Sequence, residues 1–119
     1  YDIEGGRDMP ENIDGMLKEY RRMIADVAGG HVAEVILYGS YARGDYRQDS
    51  DVDIMILLDI EEDSPLLGYL EDKIIDATYD FNWDHGCEIM PVVKSLYQFN
   101  YWKKAYLFYR NVEREGVIL

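Results

Sequence analysis

The sequence predicts one small α/β domain over residues 1–119, with short apolar strands forming a sheet flanked by helices. Three observations carry that expectation. Apolar runs at 33–38, 52–58 and 87–93 have strand length and no helical period. Around them, apolar residues recur at spacings of three and four, the mark of helices with one buried face. The third observation is the 48% hydrophobic content in 119 residues, which supplies one core and not two of ordinary size.

Taken in order, residues 1–9 contain Gly5-Gly6 without apolar periodicity and read as a loose lead-in. From Pro10, the residues Ile13, Met16, Leu17, Tyr20, Ile24 and Val27 predict an amphipathic helix that Gly29-Gly30 stops. Residues 33–38 then read as a strand covered on both faces, ended by Gly39-Ser40. Residues 41–47 allow about two helical turns, with Gly44 as a stop. A second strand follows at 52–58, then an acidic loop from Asp59 to Asp63. Ser64-Pro65 is a cap followed by a first-turn proline. Leu66, Leu70, Ile74, Ala77 and Phe81 predict a helix from Pro65 to about Tyr79. Cys87 to Val93 reads as a third strand, placed at an edge or a bulge by Pro91. A C-terminal helix and tail occupy 97–119, with Trp102, Ala105, Tyr106, Tyr109 and Val112 on one helical face and Gly116 before a short apolar tail.

Composition excludes several function classes. There are 24 acidic against 12 basic residues, a formal charge of −12, whereas binding a phosphate backbone needs clustered Lys and Arg, so direct nucleic-acid binding is not expected. No apolar stretch approaches the roughly 18–20 residues that span a bilayer, and nothing resembles a signal peptide. The single Cys87 offers no internal disulfide and fits a reducing cytoplasm. An oligomer is compatible with the sequence, which does not specify one.

The chemistry concentrates in two adjoining stretches, Ile36-Leu37-Tyr38-Gly39-Ser40-Tyr41-Ala42-Arg43-Gly44 and Ser50-Asp51-Val52-Asp53. Side chains alternate along a strand, so Asp51 and Asp53 share a face. Two carboxylates about 4 Å apart repel by roughly 4 kcal/mol at an effective dielectric of about 20, and a divalent cation relieves this. Mg²⁺ takes one or two protein carboxylates and completes its shell with water and phosphate oxygens. Gly39 permits close approach of a phosphate to the backbone, Ser40 adds a hydroxyl, and the amides of a following helix face negative charge. Arg43 is either a guanidinium for the triphosphate or a structural bridge to an acid such as Asp45 or Asp49. Glu61 to Asp63 reads as a solvated loop, His85 as a turn residue and Cys87 as a small core residue. Tyr97, Tyr101 and Trp102 are either core or a partner surface.

Gly39-Ser40, ten residues, then Asp51-Val52-Asp53 resembles the signature of the DNA polymerase β-like nucleotidyltransferase superfamily. Gly-Ser-Tyr-Ala-Arg-Gly with Ser-Asp-Val-Asp resembles, within it, the minimal nucleotidyltransferases (MNT, MntA-like antitoxins). The resemblance covers about residues 10–94, and Phe108 to Val112 with Glu115-Gly116-Val117 is similar to the tail of such proteins. It implies a mixed sheet, two Mg²⁺ ions, ATP as substrate, and transfer of AMP to a HEPN-domain toxin. Asp51 and Asp53 would then be metal carboxylates, Gly39 and Ser40 the triphosphate holders, and Glu88 the third catalytic and metal carboxylate. Glu88 departs from the family's usual Asp. That departure motivates the alternative that the chain neutralises its partner by binding alone. Transfer to a small molecule such as an aminoglycoside is the weaker reading, since relatives of that kind generally use a further domain to hold the acceptor.

Overall fold

The computed structural model describes residues 9–47 and 49–119. Its elements run α1 (Met9–Ala28), β1 (Val32–Tyr38), α2 (Ser40–Arg43), β2 (Val52–Leu58), α3 (Pro65–His85), β3 (Ile89–Ser95), α4 (Leu96–Trp102), α5 (Leu107–Glu115) and β4 (Val117–Ile118). Of the expected lead-in, residues 1–8 lie outside the described residues, and Met9 already belongs to α1.

The four strands form one sheet in the order β3-β2-β1-β4. β1 is antiparallel to β2 and to β4, whereas β2 and β3 are parallel. The sheet is therefore mixed, and α3 is the crossover that parallel pairing demands. β2 is the most buried strand, with Ile54 to Leu58 fully shielded from solvent. Its Val52, Ile54, Ile56 and Leu58 join Tyr20, Ile24 and Ile74 in a core beneath α1 and α3. Its Met55 and Leu57 meet Ile36, Phe99 and Val112 beneath α4 and α5. Asp53 belongs by alternation to the second face, so the pleat that buries Met55 and Leu57 aims the carboxylate toward α5.

The Ser64 hydroxyl caps α3 by accepting from the Leu66 amide at 3.2 Å, and Pro65 occupies the first turn. The helix runs six residues past the expected end at Tyr79, because its apolar period continues to Phe81 and Gly86 supplies the left-handed C-cap at φ 62°. His85 is thus the last helical residue instead of a turn, with Nδ1 2.9 Å from the Phe81 carbonyl and Nε2 3.6 Å from Glu19. Between α1 and α3, the Thr78 hydroxyl donates to the Ile74 carbonyl at 2.7 Å and accepts from the Tyr20 hydroxyl at 2.8 Å. Burial pushes the Tyr20 phenol up to about 12.

β3 lies at a sheet edge, as Pro91 suggests. Asn82 of α3 blocks part of that edge: its Oδ1 accepts from the Ile89 amide at 2.9 Å and its Nδ2 donates to the Ile89 carbonyl at 3.0 Å. One side chain thereby imitates a neighbouring strand, and Pro91 brings no amide two residues on. Asn82→Ala is expected to cost about 1–3 kcal/mol by leaving these two backbone groups without their protein partner. Urea unfolding that shows an unchanged midpoint would rule out this role.

The single C-terminal helix of the sequence reading is two helices, broken at residues 103–106. Trp102 keeps its predicted neighbours across the break, with ring centroids 6.3 Å from Tyr106 and 5.2 Å from Tyr109. The change of axis lets Phe99 of α4 and Val112 of α5 reach the same sheet face. The apolar tail adds β4, whose Val117 and Ile118 pair with Leu37 and Ile36. Among the described residues, no helix is long and apolar enough to cross a membrane.

Candidate active site

The turn after β1 is built on Gly39, at φ 77° and ψ −153°, a region that only glycine enters without strain. Its carbonyl accepts from the amides of Ala42 and Arg43, both at 3.1 Å, closing the single turn of α2. Gly44 ends the turn in the left-handed region at φ 84°, so the expected two helical turns shorten to one. Gly39 also faces Asp53. A Cβ built there would overlap Oδ2 of Asp53. The missing side chain is what allows turn and carboxylate to approach, which adds a second reason for glycine to the predicted access of phosphate.

Asp53 sits in β2 opposite Tyr38 of β1, half-buried, and Asp51 precedes the strand and is exposed. Ser50 orders the approach by accepting from the Arg47 amide at 2.7 Å and donating its own amide to the Arg47 carbonyl at 3.0 Å. Burial raises the pKa of Asp53 above the ordinary carboxylate value, and the charge of Asp51 raises it further; Arg43 partly offsets both. Arg43 lies 3.3 Å from Asp45 and 4.0 Å from Glu115, so the structural bridge to Asp45 is present. Arg43 also lines a cleft beside the turn.

That cleft, about 390 Å³, brings together Gly39, Ser40, Arg43 and Asp53, within the size range of small-molecule sites. Its opposite wall is α5, through Phe108, Asn111 and Glu115, with Tyr38 at the base. The Phe108 ring meets Tyr38 edge-on at 5.9 Å. Burial pushes the Tyr38 phenol up to about 12, with Asp53 and Tyr109 contributing. Sequence reasoning did not assign the α5 residues to the site. Their signal was available: positions 108, 111 and 115 share one helical face.

Glu88 does not line that cleft. It is exposed and precedes β3, and its carbonyl accepts from the Val52 amide at 2.9 Å. Together with Asp51, Tyr79, Trp83 and Met90 it lines a second groove, about 580 Å³, between α3 and β3. The residue of β3 paired with Asp53 is Met90. Among the described residues, no group of three or more His, Cys, Asp or Glu side chains is arranged to hold a metal. Of the three carboxylates expected to act together, Asp51 and Glu88 share the second groove and Asp53 lines the cleft of Gly39 and Ser40. The strand register that brings Met90 level with Asp53 sets Glu88 level with Asp51, both one residue before the first ladder pair, Val52 and Ile89.

The Gly39-Ser40 turn thus closes on Asp53 in a mixed sheet under helices. A profile described as the nucleotidyltransferase domain matches residues 17–111, and the chain belongs to that family. It is 34% identical over 108 residues to the Methanocaldococcus jannaschii protein MJ0604, named as a candidate protein adenylyltransferase, covering 91% of this chain and 98% of that one. It is 38% identical over 61 residues to the protein adenylyltransferase MntA of Thermococcus cleftensis, covering 51% of this chain and 58% of that one. Solved structures share the fold. A candidate minimal nucleotidyltransferase aligns with a TM-score of 0.63 at 20% identity, over 98% of this chain and 100% of that chain. A candidate nucleotidyltransferase from Sulfolobus solfataricus aligns with a TM-score of 0.58 at 22% identity, over 98% and 90%.

Proposed function

We propose that the chain is an antitoxin that transfers AMP from ATP to a hydroxyl of a HEPN-domain toxin. The observation that carries this reading is the cleft shared by Gly39, Ser40, Arg43 and Asp53. Gly39 and Ser40 would hold the triphosphate, and Arg43 would neutralise part of its charge by leaving Glu115. The donor set fits Mg²⁺: two hard carboxylates, mutually repelling, one of them open to solvent. The resemblance calls for two ions. Asp51 and Asp53 are the residues that would hold the metal. Bound metal supplies charge neutralisation at the transferred and leaving phosphate oxygens.

In the transfer, the acceptor oxygen bonds to the α-phosphorus as the bond from that phosphorus to the bridging oxygen breaks. Pyrophosphate leaves, and the hydroxyl proton passes to Glu88, the carboxylate that shares a groove with Asp51. The test is incubation of the chain with labelled ATP, Mg²⁺ and a HEPN-domain toxin encoded beside it. Label should enter the toxin, vanish with a chelator, and neutralisation of toxin activity should follow it. An unlabelled toxin that is nonetheless neutralised would overturn transfer. It would favour the second reading, neutralisation by binding alone, which Met90 at the position beside Asp53 makes physically reasonable.

A further inference from the structure

We infer that the groove between α3 and β3 is the acceptor site, and that it takes a hydroxyl-bearing peptide segment of the partner protein flanked by Lys or Arg. This rests on the transferase reading and adds the side from which the acceptor comes and the chemistry that recognises it. Phosphoryl transfer places the attacking and leaving oxygens roughly in line, so an acceptor cannot enter along the triphosphate. The Asp pair stands between two clefts. Asp53 lines the one with Gly39, Ser40 and Arg43; Asp51 lines the other. Strand order separates them, since β1 flanks β2 on the first side and β3 on the second.

The lining of the second groove names its occupant. Its charged residues are Asp51 and Glu88, both acidic, in a chain of formal charge −12. Its rim is apolar and unusually open: Trp83 is 88% exposed, Tyr79 69% and Met90 51%. Aromatic and Met side chains are enriched at protein interfaces, and desolvating a Trp this exposed gives a large return on binding. Acidic ends with an aromatic rim select a cationic peptide by charge and hold it by stacking on its guanidinium or ammonium groups. Strand addition along the first part of β3 is already prevented by Asn82, which occupies the Ile89 backbone. The segment therefore binds through side chains.

The test uses two synthetic peptides of equal length with a single central tyrosine, one flanked by Lys and Arg and the other by Asp and Glu. Titrated into the full chain, the cationic peptide should shift the tryptophan emission to shorter wavelength and saturate. The Trp83→Phe chain should lose that shift, and the acidic peptide should produce none. With ATP and Mg²⁺ present, AMP should enter the cationic peptide, and Trp83→Ala with Tyr79→Ala should lower that rate at least about tenfold while leaving ATP affinity unchanged. Absence of a Trp83-dependent shift, or an equal shift with both peptides, overturns the groove assignment. AMP transfer that is indifferent to Trp83 and Tyr79 overturns it as well, while leaving the transferase reading intact. Saturable binding at Trp83 without any transfer does the reverse.

Discussion

Replacing Asp51 and Asp53 together with Asn is expected to lower AMP transfer by about three orders of magnitude or more and to leave the chain at least as stable at neutral pH. The first half follows from losing both carboxylates of the proposed cation site, because a metal that stabilises transition-state charge is worth several kcal/mol and each 1.36 kcal/mol is about tenfold in rate. The second half follows from the position of Asp53. Burial and the neighbouring Asp51 raise its pKa in the folded chain, so its proton is held more tightly there than in the unfolded chain. The ionised form therefore works against folding at neutral pH, and that penalty is relieved as pH falls through the raised folded value; below the ordinary 3.8 it is gone. The Asn variant should gain most over the parent near pH 7 and nothing near pH 3. Thermal unfolding at the two pH values, beside the transfer assay, checks both halves. A variant that is weakened most at neutral pH would mean that the Asp53 charge stabilises the fold through a partner.

The second large effect is expected at Gly39→Ala. A residue with a side chain held at φ 77° and ψ −153° is strained by about 1–3 kcal/mol. Its Cβ would also meet Oδ2 of Asp53. Either the turn or the carboxylate must move, and misplacement of a catalytic group by about 1 Å costs on the order of 100-fold. Transfer should fall by that factor or more, with a lowered urea midpoint. Gly44→Ala is the control, since its φ is also positive but nothing crowds a Cβ there. It should show the strain without the loss of turnover. Equal losses of turnover at both positions would remove the contact with Asp53 as the cause.

The parts of the candidate site that are local in sequence were legible as turn and strand-end features. Gly39-Ser40 and Asp51-x-Asp53 each combine a turn or strand preference with a chemical requirement, and the structure sets Gly39, Ser40 and Asp53 around one cleft. The Ser64-Pro65 start of α3 was legible for the same reason, as a cap needs only its own few residues. What escaped depends on where distant segments meet. Phe108, Asn111 and Glu115 have an evident common face, but nothing within α5 says that the Gly-Ser turn lies opposite it. Glu88 was the only acid within the expected third strand, and β2 and β3 pair so that it stands level with Asp51 while Met90 stands beside Asp53. A shift of two residues keeps the same face and changes which group meets the neighbour, so alternation alone could not choose between them. The break at 103–106 escaped because periodicity specifies faces and is blind to a change of axis.

The mixed pairing of β2 has an evolutionary consequence. Because one neighbour runs antiparallel and the other parallel, the start of β2 is met by the end of β1 on one flank and the beginning of β3 on the other. Under the proposed assignment, the two halves of the reaction would be written in separate stretches of chain, residues 38–43 with 108–115 for the donor, and 75–91 for the recipient. Substitutions along α3 would then change which acceptor is taken while leaving the residues proposed to handle the nucleotide untouched.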